Sequence, residues 1–134
     1  MGAVIAVSPI YESSAYGKTD QPAFLNAVVA LKTPQNPLNL LSELKAIEKR
    51  LGRQRRERWG PREVDLDIIF YGQEVMSDDR LTIPHPDFHN RRFVLQPLCD
   101  IRPAWWSPVH QMSVSGLLEI CRDTTKLTQF AKDW

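Results

Sequence analysis

The residues best suited to chemistry by type and spacing lie in the segment REVDLDIIFY, in which Asp65 and Asp67 are separated by a single apolar residue. On a β-strand, side chains two positions apart face the same side, so the two carboxylates would stand about 7 Å apart. Magnesium prefers oxygen ligands and is commonly held by one or two carboxylates together with the phosphates of a nucleotide. The spacing therefore indicates a magnesium site, with a solvated strand face as the alternative.

An arginine-rich stretch leads directly into this segment. Arg53, Arg55, Arg58 and Arg62 carry forked guanidinium groups that suit bidentate contact with phosphate. Trp59 lies among them and is suited either to stacking on a flat heterocycle or to fixing the loop against the core. The same mixture of arginine and tryptophan also suits single-stranded RNA, so a phosphate clamp and an RNA-binding module are both hypotheses at this point.

Histidines contribute a weaker signal. His85 and His89 have the spacing of a helical metal site, but Pro86 disfavours a helical conformation at His85, so we do not expect the two to share a zinc ion. His110 has no partner in the sequence, and we expect it at the surface.

The composition limits the class of protein. With 134 residues, 43% of them hydrophobic, the chain predicts one domain over residues 1–134. Its 17 basic residues nearly balance its 16 acidic ones, which gives no reason to expect a nucleic-acid or membrane partner. Cys99 and Cys121 are not close together in the sequence, so we do not expect a disulfide between them. The apolar run at the N-terminus is too short for a membrane span or a signal peptide. We expect a cytoplasmic protein.

The apolar periodicity predicts an α+β fold with an antiparallel sheet and one helical layer. The predicted strands are 3–11, 24–31 and 64–71, and the predicted helices are one that begins after the Asn36-Pro37 cap and ends near Gly52, one over 90–95 stopped by Pro97, and one over 114–121 capped by Ser113. In the strand over 64–71, we expect Leu66, Ile68 and Phe70 to share the face opposite the two aspartates.

Several motifs together resemble those of the 6-hydroxymethyl-7,8-dihydropterin pyrophosphokinase family, and they occur in the family's order. They are Ser8-Pro9-Ile10-Tyr11-Glu12-Ser13, Phe24-Leu25-Asn26, Gly52-Arg53-Gln54-Arg55, Arg58-Trp59-Gly60-Pro61-Arg62-Glu63-Val64-Asp65-Leu66-Asp67-Ile68, Leu81-Thr82-Ile83-Pro84-His85-Pro86 and Arg91-Arg92-Phe93-Val94-Leu95-Gln96-Pro97-Leu98. The resemblance implies a ferredoxin-like antiparallel sheet with helices packed on it. It also implies transfer of pyrophosphate from ATP to the pterin in folate biosynthesis, with release of AMP and with two magnesium ions.

The resemblance also implies roles for individual residues. The metal ligands would be Asp65 and Asp67, which form the catalytic set with the phosphate clamp of Arg53 and Arg62. The nucleotide would be bound by Arg55, Trp59, Ile68, Arg80, Leu81, Thr82 and His85. The pterin would be bound by Phe24, Asn26, Trp59, Arg91 and Phe93, with the two phenylalanines stacked on its ring.

The sequence departs from the family pattern at its front, where the family's first strand, Gly-Ser-Asn turn and first helix have no counterpart before Met1. In the ferredoxin-like arrangement this strand lies between the strands over 24–31 and 64–71. We therefore expect either that the true start lies upstream of Met1 or that a homodimer supplies the strand. An inactive or accessory relative that binds nucleotide or pterin without turnover is the alternative function.

Overall fold

The computed structural model describes residues 2–13, 24–54 and 64–134, with the backbone alone for Arg53 and Gln54. Three α-helices and short antiparallel strands make up the described part, which confirms the predicted α+β class. The strands are β1 Ala3–Val7, β2 Ile10–Ser13, β3 Phe24–Asn26, β4 Val29–Lys32, β5 Met76–Ser77, β6 Thr82–Ile83, β7 Trp106–Ser107, β8 Met112–Ser113 and β9 Leu127–Ala131. The helices are α1 Pro37–Gln54, α2 Arg92–Ile101 and α3 Val114–Ile120, and a 3-10 turn spans Phe88–Asn90.

The first four strands form one long antiparallel hairpin with a break in its middle. Strand β1 pairs with β4, β2 pairs with β3, and β9 lies on the other edge of β2. The break falls at Ser8, which is fully buried. Its N–H donates to the Val28 carbonyl and its Oγ accepts the Val28 N–H, both at 2.9 Å. Each of the first two predicted strands is therefore present as two shorter ones.

Helix α1 begins as the sequence predicts. Asn36 Oδ1 accepts the N–H of Asn39 at 2.9 Å, and Pro37 occupies the first helical position, where its missing N–H costs nothing. Leu40 is buried on the inner side of the helix and packs in one cluster with Ile68 and Ile83. The helix is thereby fixed against the segment that carries the two aspartates.

Helix α2 corrects the sequence prediction, because it runs over Arg92–Ile101 and passes through Pro97. Leu95, Pro97 and Leu98 are all buried, and both leucines pack in one core cluster with residues of α3. Burial of this whole face outweighs the single backbone hydrogen bond that proline removes. The prediction that the helix stops before the proline was therefore wrong.

Helix α3 confirms its predicted cap. Ser113 Oγ accepts the N–H of Gly116 at 3.1 Å, and Val114 and Leu117 complete a core cluster around the fully buried Phe88. Among the described helices, none is long and apolar enough to cross a membrane.

The predicted strand over residues 64–71 is wrong. Within the described part of the chain, this segment pairs with no strand. Instead, the N–H of Leu66 donates to the carboxylate of Glu48 on α1, and the carbonyl of Ile69 accepts the N–H of His85 at 2.9 Å. The segment is thus held by individual hydrogen bonds to Glu48 and His85 rather than by the hydrogen-bond ladder of a paired strand.

The side chains of this segment also break the expected alternation. Ile68 packs with Leu40 of α1, whereas Phe70 belongs to the other core cluster and meets Phe88 edge-on at 4.9 Å between ring centroids. A regular strand would place Ile68 and Phe70 on one face. The segment therefore contacts both clusters and connects the α1 side of the molecule to the α2 and α3 side.

The hairpin of β1 and β4 exposes apolar side chains to an unusual degree. Val4 is 60% and Ile5 is 56% exposed, and Val7 and Val29 are exposed as well. Among the described residues, no strand lies on the outer edge of β1 or of β4. Apolar surface beside open strand edges is typical of a region that contacts another polypeptide segment.

Candidate functional site

A cleft of about 240 Å³ lies where α1, the 64–71 segment and the β5–β6 hairpin meet. The residues predicted for nucleotide or metal binding that line it are Asp67, Ile68, Arg80, Leu81, Thr82 and His85. The sequence reasoning did not identify the other lining residues, which are Leu41, Lys45, Leu66, Asp78, Asp79 and Pro86. Residues from two distant predicted motifs are thus brought to one place.

Asp65 and Asp67 are both exposed, and they flank Leu66, whose N–H is held by Glu48. Asp67 lines the cleft, whereas Asp65 is not among its described lining residues. Within the described ranges, no group of three or more His, Cys, Asp or Glu side chains is arranged to hold a metal ion. A cation bound by these two carboxylates would need further oxygen ligands, and nucleotide phosphates supply them.

Arg80 stands at the tip of the β5–β6 hairpin. Asp78 and Leu81 exchange both backbone hydrogen bonds, at 2.9 and 3.2 Å, which leaves Arg80 in a two-residue turn. Its Nε lies 3.2 Å from Asp78 Oδ1, and this hydrogen bond from Arg80 lowers the pKa of the Asp78 carboxyl. The Arg80 side chain is 66% exposed, so its guanidinium group is free to exchange this carboxylate for a phosphate.

His85 is oriented by two hydrogen bonds. Its backbone N–H donates to Ile69, and its Nδ1 accepts the backbone N–H of Asp87 at 3.1 Å. Because Nδ1 is an acceptor, the neutral ring carries its proton on Nε2. His85 thus presents its Nε2–H as a hydrogen-bond donor, and the bond from its backbone to Ile69 fixes it beside the 64–71 segment.

Lys45 and Glu48 lie three residues apart on α1, with Lys45 Nζ 3.3 Å from Glu48 Oε1. The other oxygen of Glu48 holds Leu66, so one carboxylate connects a cleft cation to the backbone between the two aspartates. Lys45 lies four residues after Leu41, and Glu48 lies three residues after Lys45. This spacing is the signal that could have placed all three residues on one face of α1.

The residues predicted to bind the pterin are not among the described residues that line this cleft. Phe24 and Asn26 lie on β3, which contacts α2, the helix that carries Phe93. Phe24 is 52% exposed, and the Arg91 guanidinium carbon lies 5.8 Å from the centroid of the Phe93 ring. The structure therefore places β3 beside α2, so that Phe24 and Phe93 lie on neighbouring elements.

Asp87 links the cleft to this second group. Its backbone binds His85, while its carboxylate accepts hydrogen bonds from Asn90 Nδ2 at 3.0 Å and Arg91 Nε at 3.1 Å. The bond from Asn90, followed by the charge of Arg91, lowers the pKa of Asp87. A short, internally bonded loop therefore fixes His85 relative to Arg91.

The remaining predictions lie outside the described residues. They concern Arg55, Trp59 and Arg62, together with the side chain of Arg53.

A second cavity, of about 400 Å³, lies between α2, α3 and the segment that follows α3. Its lining includes a cation, Arg92, whose backbone N–H donates to Asp123 at 2.9 Å. None of the predicted site residues is among the described residues that line it.

Carboxylates facing an arginine, a threonine hydroxyl and a histidine donor in one cleft have the chemistry of a site for nucleotide phosphates. The match to a family is specific. Residues 1–103 match the model of 7,8-dihydro-6-hydroxymethylpterin-pyrophosphokinase, and the chain belongs to this family.

Several curated proteins are also similar in sequence to this chain. The chain is 49% identical over 98 residues to a 2-amino-4-hydroxy-6-hydroxymethyldihydropteridine pyrophosphokinase of Haemophilus influenzae, covering 73% of this chain and 61% of that one. It is 46% identical over 109 residues to the Synechocystis protein of the same name, covering 81% and 55%. It is 45% identical over 116 residues to the folic acid synthesis protein fol1 of Pneumocystis carinii, covering 87% and 16%. The chain thus spans about six-tenths of the first relative's length.

The pairing of Asp78 with Arg80 predicts an abnormal titration. Because its pKa is lowered, the interaction is present at neutral pH and is lost as the pH falls through the folded-state pKa. We expect the Asp78 carboxyl carbon to titrate below its ordinary value of 3.8 in NMR spectra. Arg80→Gln should raise the midpoint toward that value, whereas the control Arg122→Gln should leave it unchanged. An ordinary midpoint in the wild type would contradict the described pair.

Proposed function

We propose that the protein transfers the terminal two phosphates of ATP to the hydroxymethyl group of 6-hydroxymethyl-7,8-dihydropterin, releasing AMP, in folate biosynthesis. Membership in the pyrophosphokinase family supports the reaction class. The observation that carries the proposal is the cleft, where Asp67 and Ile68 meet Arg80, Thr82 and His85 from a separate part of the sequence.

The cleft offers complementary groups for each part of ATP. Ile68 and Leu81 supply apolar surface for the base, while the Thr82 hydroxyl and the His85 Nε2–H supply polar contacts. Arg80 neutralises phosphate when its guanidinium group leaves Asp78.

Asp65 and Asp67 are proposed to hold two magnesium ions. Their exposed carboxylates are the oxygen donors that this ion prefers, and the hold of Glu48 on Leu66 fixes the backbone between them. Magnesium held by these carboxylates would neutralise charge that develops on the phosphate oxygens during the transfer. The aspartates therefore act as positioning ligands, and no proton transfer is assigned to them.

The pterin is proposed to stack between Phe24 and Phe93, with Asn26 bonded to its polar edge and Arg91 close by. Its hydroxymethyl oxygen attacks the β-phosphorus in line and releases its proton to solvent, while the bond between the β-phosphorus and the bridging oxygen breaks and AMP leaves with that oxygen. Arg53 and Arg62 are proposed to clamp the phosphates, with Arg55 on the nucleotide and Trp59 over the site. The protein's contribution is positioning and charge neutralisation.

Removal of either proposed metal ligand should abolish the transfer. Asp65→Asn and Asp67→Asn should each lower magnesium-dependent AMP release in the presence of pterin by roughly 100-fold or more, because charge stabilisation of the phosphates is lost. Both side chains are exposed, so the folding transition should change little. Asp133→Asn, an exposed aspartate near the C-terminus, is the matched control. Ordinary turnover in either site variant would rule out the assignment.

The same assay separates the competing functions. An inactive relative would bind ATP or pterin without releasing AMP. An RNA-binding module would release no AMP and would bind single strands with a strong dependence on salt. Release of AMP in step with pterin diphosphate would exclude both.

We also propose that the protein forms a homodimer through the β1–β4 hairpin. No described strand pairs with the outer edges of β1 and β4, which present backbone donors and acceptors beside Val4, Ile5 and Val29. A second copy offers the same apolar strand in antiparallel orientation, and such a contact is self-complementary about a two-fold axis.

Dilution tests the dimer. Light scattering should give twice the chain mass at high concentration, and Val4→Lys should shift the equilibrium to the monomer because lysine on an edge strand opposes pairing. Val75→Lys is the matched control, since Val75 is 64% exposed, close to the 60% of Val4, and lies outside the hairpin. A wild-type protein that is monomeric at every concentration would contradict the proposal.

A further inference from the structure

The histidines that the proposed reaction does not use lie together. His110, expected at the surface, is partly buried beside His89, with ring centroids 4.3 Å apart and ring planes inclined by 46°. Both rings form T-shaped contacts with the fully buried Phe88, with centroid separations of 5.9 Å for His89 and 5.4 Å for His110. Sequence reasoning did not predict this contact, because the whole of α2 and strand β7 lie between the two residues along the chain.

The ring of His110 is anchored on one side. Its Nδ1 lies 2.8 Å from Oγ of the fully buried Ser107, which also accepts the backbone N–H of His110 at 3.3 Å. A histidine that ligates a metal usually has its second ring nitrogen fixed by such a partner. The bond to Ser107 occupies Nδ1, so Nε2 is the nitrogen of His110 that would bind a metal ion.

The ring of His89 has an unsatisfied nitrogen. Its Nδ1 is buried and has no hydrogen-bond partner among the described residues. A buried polar atom without a partner is costly, and a bound cation would relieve that cost if the nitrogen presents its lone pair. The deficit therefore points to a ligand.

We propose that His89 and His110 form a binding site for one divalent transition-metal ion, with water completing its coordination. Imidazole nitrogen suits nickel, copper and zinc, whereas magnesium prefers oxygen, so this site and the proposed magnesium site select different ions. The inference does not depend on the proposed transfer reaction.

The ring separation favours particular ions. A ring nitrogen binds such an ion at about 2.0–2.1 Å. Two imidazoles on one ion therefore have ring centroids roughly 4.5 Å apart when the nitrogen–metal–nitrogen angle is 90°, and roughly 5 Å apart when that angle is tetrahedral. The observed centroid separation of 4.3 Å is closer to the value for a 90° angle, and 90° angles are typical of nickel and copper sites. Metal binding also needs neutral rings, and burial, followed by the neighbouring His89, lowers the pKa of His110.

Nickel titration by calorimetry at neutral pH, with magnesium in excess, tests the site. Because the chain has three histidines, His85→Gln serves as a matched control. The wild type and His85→Gln should bind one equivalent, and His89→Gln and His110→Gln should each weaken binding at least tenfold. Equal affinity in all variants, or no binding by the wild type, would overturn the proposal.

A second measurement needs no variant and applies if the substitutions prevent folding. Paramagnetic nickel added to the wild type should broaden the ring-proton NMR signals of His89 and His110 before those of His85. Broadening that begins at His85, or that is equal at all three rings, would overturn the proposal.

Discussion

The arrangement of the candidate site depends on one hydrogen bond, from the backbone N–H of Leu66 to the carboxylate of Glu48. Leu66 lies between Asp65 and Asp67, and no described strand pairs with their segment. A side chain of α1 therefore does what a neighbouring strand does in a regular sheet. Lys45 shares the same carboxylate, so a charged group on the cleft wall and the backbone of the proposed metal ligands are held together.

The second link is the bond from His85 to Ile69, which fixes the loop after β6 against the same segment. Through Asp87 this loop continues to Arg91, at the start of the helix that carries Phe93. The proposed ATP and pterin sites are therefore connected by short-range bonds within a few residues. Such a connection suits a reaction whose main requirement is the alignment of two substrates.

Local chemistry made much of the fold predictable. The cap at Asn36 and Pro37 and the cap at Ser113 were confirmed because each depends on residues within one turn. Pro97 was misjudged because burial against α3, a distant element, outweighs its local effect. The 64–71 segment has the apolar pattern of a strand, yet a strand also requires a partner, and sequence periodicity does not reveal whether one is present.

The candidate site was predictable to the extent that motifs keep their chemistry within short segments. Asp67, Thr82 and His85 come from such motifs, and they line one cleft. Asp78 was missed because its role arises from the turn that folds Arg80 back onto it, and the His89 and His110 pair was missed because only tertiary packing brings the rings together.

The central claim is that the cleft beside Asp67 binds the nucleotide, and an NMR titration with magnesium and AMP tests it most directly. Saturable shifts should appear at the amides of Ile68, Leu81 and Thr82, and the pKa of Asp78 should rise as Arg80 turns to the phosphate. Shifts confined to the cavity beside Arg92 and Asp123, or no saturable shift, would contradict the account.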